Sequence, residues 1–492
     1  MNYEIVVINM KIKLQGIGII KNSEIELNGL TVITGDNNSG KTTIGKVVYS
    51  LFDAVSDLNK NAEIDKNTYA VKTLQNIARD LEFLSVCFDD NSPNNKELSF
   101  LFSKHFIRQT YAISTAKELY NWLINFSETG FDLLDDEKKE YISKSISTKY
   151  IVSANNDITF NDIMGILTNM ALESLTKLFN DLESDPHLID YTREKISQTL
   201  LVEFSGQIQP VIFDVKKSSI VVKEKNKICF RFNIVDNKIV NNNEPVYYDS
   251  SVNKAFFVDN PFVLDSDDFI GSIVSNYNND YDSDENFINK RRICCHDVNL
   301  RRFLKRPTNN IFELNILEKQ NSKITAKINE VISGDFEFSN DGDYYISKGR
   351  KLRFANLATG SKLFSILKLL IEKGALNDST VLILDEPEAH LHPAWQNKFA
   401  EVIVMLVKEL DVKVLLTSHS PNFVLAIDAY MRKYEINKKT NFYQTRFTDD
   451  GFAEYVNVDN DMGLIYSDFV QYLTEVKLLR NKYAHGLGED ND

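Results

Sequence analysis

Eight consecutive residues, Gly35-Asp36-Asn37-Asn38-Ser39-Gly40-Lys41-Thr42, set two glycines, an amine and a hydroxyl in the order G-x-x-x-x-G-K-T. That spacing suits a polyphosphate: the glycines let backbone N–H groups turn inward, and a helix that follows offers its positive N-terminal dipole to an anion. Lys41 is the group to pair with β- and γ-phosphates, Thr42 the one to offer a hydroxyl to Mg²⁺, and Thr43 continues the same turn. A chance glycine turn before a helix is the plainer reading, and the lysine and hydroxyl in register disfavour it. Far downstream, Asp385 and Glu386 end the apolar run Val381-Leu382-Ile383-Leu384. Asp385 suits the magnesium shell and Glu386 is placed to orient and polarise an attacking water. His419 follows a second apolar run, Val412 to Leu416, within Thr417-Ser418-His419-Ser420-Pro421, where it could reach a γ-phosphate. A further small-residue turn, Thr359-Gly360-Ser361, precedes the apolar stretch Leu363 to Ile371; it reads either as a second anion-binding helix start or as ordinary capping.

These groups act together only if strands and helices bring them to one place. Leu30 to Thr34 predicts a strand before the glycine loop and Ile44 to Leu51 a helix after it. Continuous apolar runs ending in acids or histidine predict buried parallel strands that deliver those residues to the carboxyl edge of a sheet. Met10 to Leu14 and Ser23 to Leu27 read as further strands. From about Asp53 to Gln207 the apolar spacing is helical, over Ala70 to Phe88, Ala112 to Phe126, Asp136 to Ile146 and Phe160 to Leu182. No heptad persists, so this region predicts a compact helical insertion and not a long rod. Strand patterns return at Val211 to Val215, Ser219 to Val222, Ile228 to Ile234, Val246 to Tyr248 and Lys254 to Val258, the last ending in Asp259-Asn260-Pro261. A helix is expected from Asn310 to Ile332, then short strands around Phe336, Tyr344 and Leu352.

Length and composition narrow the class. A chain of 492 residues with 43% hydrophobic and 26% charged residues reads as a globular protein with a split core. No window approaches the ~18 apolar residues of a membrane span and no signal-peptide pattern opens the chain, so a cytoplasmic protein without membrane partners is expected. Cys87, Cys229, Cys294 and Cys295 form no paired framework, and Cys294-Cys295-His296 reads as ordinary thiols sooner than as a metal corner. A net charge of −14 argues against a general nucleic-acid-coating surface. The one dense basic segment, Lys290-Arg291-Arg292, Arg301-Arg302 and Lys305-Arg306, reads as a solvated face, with a phosphate-backbone contact as the sharper alternative.

In this order GDNNSGKT, NLATGSK, VLILDEPEAHLHP and TSHSP resemble the ATP-binding-cassette class of ATPases, in its soluble RecF, SMC and OLD-like branch, over roughly residues 10–55 and 335–450. The resemblance implies an α/β fold: an ABC-type head with a mixed or parallel sheet and a phosphate loop, carrying a large, mainly helical insertion. It implies head segments at 1–55 and 335–460, the insertion at 56–207, a β-rich return at 208–265, a variable segment at 266–334 and a C-terminal helix at 461–492. It further implies ATP and Mg²⁺ as cofactors, with Gly35 to Thr43 as the Walker A loop, Asp385 and Glu386 as the Walker B pair and His419 as the switch histidine. Thr359, Gly360 and Ser361 would contact the γ-phosphate held by another subunit, which requires a homodimer or a higher even-numbered homo-oligomer. Three departures stand out: Ala358 replaces the usual signature serine, Asp259-Asn260-Pro261 stands where a Q-loop glutamine is expected, and the residues after His419 are too few for a TOPRIM nuclease. The chain is thus similar to the stand-alone PtuA and AriA ATPases of anti-phage systems, which implies a separate nuclease or toxin effector and a phage-derived or nucleic-acid trigger. Two alternatives are a RecF-like repair ATPase and an ATPase with a HEPN-like RNase tail, in which Arg480 and His485 match R-x4-H against the plainer reading of a cationic helix end. His390 and His392 resemble a metal pair but fall in the loop expected to face the dimer.

Overall fold

The computed structural model describes residues 10–56, 58–87, 96–104, 107, 111–127, 134–149, 160–183, 188–211, 215, 217–240, 250–265, 295–306, 323–339 and 341–484. In chain order its strands are β1 (Met10–Ile17), β2 (Ile20–Leu27), β3 (Leu30–Thr34), β4 (Ser218–Glu224), β5 (Lys227–Val235), β6 (Lys238–Val240) and β7 (Lys254–Val258). They continue as β8 (Asp335–Ser339), β9 (Gly342–Ser347), β10 (Arg350–Arg353), β11 (Thr380–Asp385), β12 (Lys413–Ser418), β13 (Thr440–Phe447) and β14 (Ala453–Asn457). The longer helices are α1 (Lys41–Val55), α2 (Leu58–Asp80), α3 (Lys96–Lys104), α4 (Ala112–Asn125), α5 (Asp136–Lys149) and α6 (Phe160–Glu183). After them come α7 (Leu188–Glu203), α8 (Cys295–Lys305), α9 (Thr359–Glu372), α10 (Pro393–Leu410), α11 (Pro421–Lys433) and α12 (Gly463–Ala484).

The chain divides into two compact units, Met1–Ser56 with Thr192–Asp492, and Asp57–Tyr191. The first is built on an eleven-stranded sheet of order β6-β5-β4-β1-β2-β14-β13-β3-β12-β11-β7, with a separate three-stranded sheet β10-β9-β8. Its two halves follow different rules. Strands β13, β3, β12, β11 and β7 run parallel to one another, and β3 and β12 are buried along their whole length, as strands covered by helices on both faces must be. Strands β1, β4 and β5 pair antiparallel and alternate buried with exposed residues, as a sheet with one wet face does. On the parallel half, α9, α10 and α11 pack Phe364, Leu367, Phe399, Ile403 and Phe423 against Leu382, Leu384, Val414 and Leu416. Full burial of each such side chain contributes ~1.5–3 kcal/mol.

The second unit is helical and has its own core, in which Leu74, Leu101, Leu119, Leu123, Ile142, Leu175 and Leu178 are buried together. Its helices α4 and α6 begin where the apolar spacing predicts, at Ala112 and Phe160.

Register decides where chemistry can happen. Thr34 pairs with Ser418, Thr417 with Asp385, and Val258 with Leu384. The residues that follow these strands, Gly35, His419, Glu386 and Asp259, therefore leave the sheet at one edge.

Some expectations are corrected. Val211 and Val215 lie outside any strand, and Val246 to Tyr248 fall outside the described residues. Of the helix expected from Asn310 to Ile332, the described part is helical only over 323–329. Strands β13 and β14 were not anticipated. Residues 290–292 lie outside the described residues, but Arg301 is buried and donates to the Val263 carbonyl at 3.0 Å, while Lys305 pairs with buried Asp343 at 2.5 Å. Arg301 and Lys305 are therefore internal ties and not a solvated basic face.

Candidate nucleotide site

The glycine loop sits between β3 and α1, and polar contacts from sequence-distant strands fix its shape. Ser39 Oγ donates to the Asp36 carbonyl at 2.6 Å, Thr445 Oγ1 on β13 donates to Ser39 Oγ at 2.6 Å, and Tyr455 on β14 donates to the Gly40 carbonyl at 2.7 Å. Gly35 (φ +141°) and Gly40 (φ +84°) take conformations that favour glycine. A Cβ on Gly35 would lie 1.8 Å from Thr445 Oγ1, so the clamp itself requires glycine there. Asp36, Asn37 and Asn38 are exposed at the loop tip, and Asn38 is also left-handed at φ +61°. The first turn of α1 has no side-chain cap, which leaves its N–H groups available to an anion.

Lys41 is buried at 4% exposure with its Nζ 3.1 Å from the Gly35 carbonyl, 2.8 Å from the Asp36 carbonyl and 3.2 Å from Glu386 Oε1. The ammonium is thus folded onto its own loop, over the space that the loop encloses. Thr42 Oγ1 donates to Asp385 Oδ2 at 2.7 Å, and Thr417 Oγ1 donates to Asp385 Oδ1. Burial raises the Asp385 carboxyl above its usual range, the two hydroxyls pull it back, and the nearby charges of Glu386 and Asp259 raise it again. Thr43 stands in the first turn, half-buried, its N–H donating to the Gly40 carbonyl at 3.1 Å.

Glu386 follows β11 in a left-handed conformation (φ +49°, ψ +46°), a strain of about 1–3 kcal/mol for a residue with a side chain. Its N–H is held by the Thr417 carbonyl at 3.2 Å and Thr417 Oγ1 at 3.1 Å. That turn points the carboxylate between two nitrogens, with Oε1 at Lys41 and Oε2 3.2 Å from His419 Nδ1. Glu388 is a member of the site that residue spacing did not single out. It is buried, and its Oε1 accepts from Ser418 Oγ at 2.5 Å, the His419 N–H at 3.0 Å and the Ser420 N–H at 3.3 Å. Glu388 therefore fixes the turn that carries His419. The available signal was the third acid of Asp385-Glu386-Pro387-Glu388.

The structure brings Gly35 to Thr43, Asp385, Glu386 and His419 together. Thr359, Gly360 and Ser361 stand apart from them: among the described residues no hydrogen bond or ion pair links these three to the glycine loop. They open α9, whose N-cap is Ala358 with no side-chain cap, so the capping reading of this turn is not realised. Gly360 packs under Trp395, where a Cβ would lie 3.0 Å from the ring. His390 and His392 are exposed; His392 Nδ1 caps α10 by accepting the Ala394 N–H at 3.3 Å, which accounts for it without a metal. Arg480 is exposed on α12 and His485 falls outside the described residues. His296, set aside above with its cysteines, is buried against Glu203, with Nδ1 2.6 Å from Oε2.

The residues fit a nucleotide polyphosphate with its cation. The donor set combines an uncapped helix start, a buried lysine whose partners in the structure are two carbonyls and a carboxylate, and a hydroxyl–carboxylate pair of hard oxygens.

The family described as AAA ATPase domain matches residues 10–424. No curated protein sequence matches the chain. Among solved structures, the SMC head domain from Thermotoga maritima is similar at 11% identity and TM-score 0.31, covering 92% of this chain and 98% of that one. An Smc head bound to the C-winged helix domain of ScpA gives 12% and 0.34, covering 93% and 99%. The Smc head domain with a coiled coil and joint derived from Pyrococcus yayanosii gives 11% and 0.33, covering 94% and 99%. At such TM-scores the likeness carries no argument about this chain.

Proposed function

The chain belongs to the AAA ATPase domain family, and from that premise we propose that it binds ATP with Mg²⁺ and hydrolyses it at sites shared between two copies, in the manner of an ABC-type head. The observation that supports this reading most is the convergence of Lys41, Thr42, Asp385, Glu386 and His419 on one sheet edge, with the Thr42–Asp385 bond at 2.7 Å and Glu386 between Lys41 and His419. Lys41 exchanges the Gly35 and Asp36 carbonyls for phosphate oxygens, a favourable exchange because the anion matches its charge. Thr42 and Asp385 hold the cation, which supplies positive charge against the phosphate oxygens when bound. Glu386, released from Lys41, orients a water and accepts its proton as the oxygen attacks the γ-phosphorus and the bond to the ADP oxygen breaks. His419, held by Glu388 through its backbone, stabilises charge on the γ-phosphoryl oxygens.

The finer part of the proposal is that turnover senses a phage-derived or nucleic-acid trigger and controls a separate nuclease or toxin. It rests on the likeness of the motif set to the PtuA and AriA ATPases. No helix among the described residues is long and apolar enough to cross a membrane.

The catalytic part is tested by steady-state phosphate release: Glu386→Gln is expected to bind ATP and turn it over poorly, and wild-type turnover in that variant would remove the assignment. The regulatory part is tested by phage challenge of cells carrying the gene with its neighbouring reading frames. Protection that disappears with Lys41→Ala is expected, and equal plaque counts with and without the gene set would discard the defence reading.

A further inference from the structure

A group of ionisable side chains, buried at Glu203 and His296 and open at Asp259, lies beside the nucleotide edge, contributed by α1, α7, α8 and the end of β7, and the ATPase reading leaves it without a role. His296, in the first turn of α8, is 1% exposed, and Glu203, at the end of α7, is fully buried. Glu203 holds the imidazole through one ring nitrogen: Nδ1 lies 2.6 Å from Oε2, and the His296 backbone N–H donates to Oε1 at 3.1 Å. The other ring nitrogen, Nε2, is buried and makes no hydrogen bond among the described residues. It faces two carboxylates, Asp259 Oδ1 at 3.1 Å, near enough for an ion pair but out of line for a hydrogen bond, and Asp297 Oδ1 at 4.0 Å. One ligand atom from each of Asp259, His296 and Asp297 falls within 4.8 Å of the others. Ligand atoms that share one cation at about 2.1 Å lie about 3–4 Å apart, so small side-chain rotations close this set around an ion.

We propose that Asp259, His296 and Asp297 form a binding site for a first-row divalent cation, Mn²⁺ or Zn²⁺, with Glu203 as the residue that orients the imidazole. One imidazole with two carboxylates suits such ions better than a set of oxygens alone, which would favour Mg²⁺ or Ca²⁺. A histidine that ligates through Nε2 commonly gives its Nδ1–H to a carboxylate, which is the arrangement Glu203 provides. Among the described residues no other polar group is placed to partner Nε2. The Phe257 ring lies 4.4 Å and the Tyr49 ring 5.7 Å from the imidazole, centroid to centroid, and both are apolar walls.

Charge points the same way. Three carboxylates, Glu203, Asp259 and Asp297, surround one imidazole. The site is distinct from the Thr42–Asp385 pair but adjoins it electrically, since the charge of Asp259 contributes to the raised Asp385 carboxyl.

The test uses the full chain, stripped with chelator and kept free of nucleotide, titrated with MnCl₂ and ZnCl₂. Electron paramagnetic resonance is expected to find one tightly held Mn²⁺ per chain with a nitrogen coupling from imidazole. His296→Gln should abolish that coupling and Asp297→Asn should weaken binding by roughly 10-fold or more, while Glu203→Gln should weaken it by roughly 10–100-fold as an orienting residue. His390→Ala, at an exposed histidine, should change neither quantity. Failure of wild-type protein to hold Mn²⁺ or Zn²⁺, or binding with the same affinity in Asp297→Asn, overturns the site. If His296→Gln does not fold, Asp297→Asn decides, because that carboxylate is partly exposed and its loss leaves the Glu203–His296 pair intact. Because the titration contains no nucleotide, its failure would leave the ATPase reading standing.

Discussion

Two helices of the sheet unit begin without a side-chain cap, α1 at Gly40 and α9 at Ala358, whereas α10 and α11 are capped by His392 and Ser420. The uncapped pair differ in what surrounds them. At α1 a buried lysine, a hydroxyl, two carboxylates and a histidine converge on the open N–H groups. At α9 Thr359 and Ser361 are half-buried, Gly360 lies under Trp395, and the nearby buried cation Lys362 is already tied to Asp265 at 2.5 Å and to the Ala355 carbonyl at 2.9 Å. On the proposed reading one helix start carries the chemistry of a half-site and the other only an anion-ready end. Two copies facing each other would make a whole site from the two unlike halves, which is the assembly proposed above.

The largest effects should come from breaking the α1 side. Lys41→Ala removes the ammonium that sits 3.2 Å from Glu386 Oε1 and the charge that meets phosphate, and ATP affinity should fall by roughly 100-fold or more in a fluorescent-nucleotide titration. Gly35→Ala should do as much damage by a different route, since its Cβ would lie 1.8 Å from Thr445 Oγ1. Retained affinity in both variants would place the nucleotide elsewhere. Next in size, Glu386→Gln should keep ATP affinity within a few fold and lower turnover by ~10²–10⁴.

The α9 side should behave otherwise. Gly360→Asp sets a carboxylate at the open helix start and presses on the Trp395 ring, so turnover should fall while the affinity of a lone subunit for ATP is unchanged. Mixing Gly360→Asp with Lys41→Ala protein should restore part of the activity through one intact composite site. Activity that never rises above the sum of the two inactive proteins, at any mixing ratio, would break the shared-site comparison.

Much of the α1 side was legible in the sequence because its parts are local. The strand Leu30 to Thr34, the glycine loop and the acids after Val381 to Leu384 each declare themselves within ten residues. What closes the loop was not legible: Thr445 and Tyr455 act from strands more than 400 residues away, and a threonine and a tyrosine in mixed polar runs carry no spacing that announces a clamp. Glu203 and His296 are likewise joined only by the fold, 93 residues apart. Val211 and Val215, expected at the ends of a strand, lie in none, because β-branched residues are a context-dependent signal that favours a strand only where packing supplies one.

The smallest effect concerns the helix that carries the loop and sharpens the contrast with α9, whose buried Lys362 and Lys368 are both paired. Asp53 lies in the last turn of α1, at the negative end of the helix dipole, with Asn299 Nδ2 donating to it at 3.0 Å. Burial raises its carboxyl from 3.8 to about 6, hydrogen bonds from Tyr49 and Asn299 oppose the rise, and the charge of Glu203 adds to it. For an acid raised on folding, the folded state holds its proton more tightly than the unfolded state does. Stability from this group is therefore present below about pH 4 and is lost as pH rises through 6, reaching a cost of up to ~3 kcal/mol at neutral pH. Asp53→Asn keeps an oxygen to accept from Asn299 and removes the charge. Its thermal midpoint should exceed that of the wild type at pH 7.5, and the gap should narrow towards pH 4.5 as the wild-type carboxyl takes up its proton. A variant less stable than the wild type by the same margin at both pH values would mean that Asp53 serves α1 through its hydrogen bonds and that its charge is already compensated.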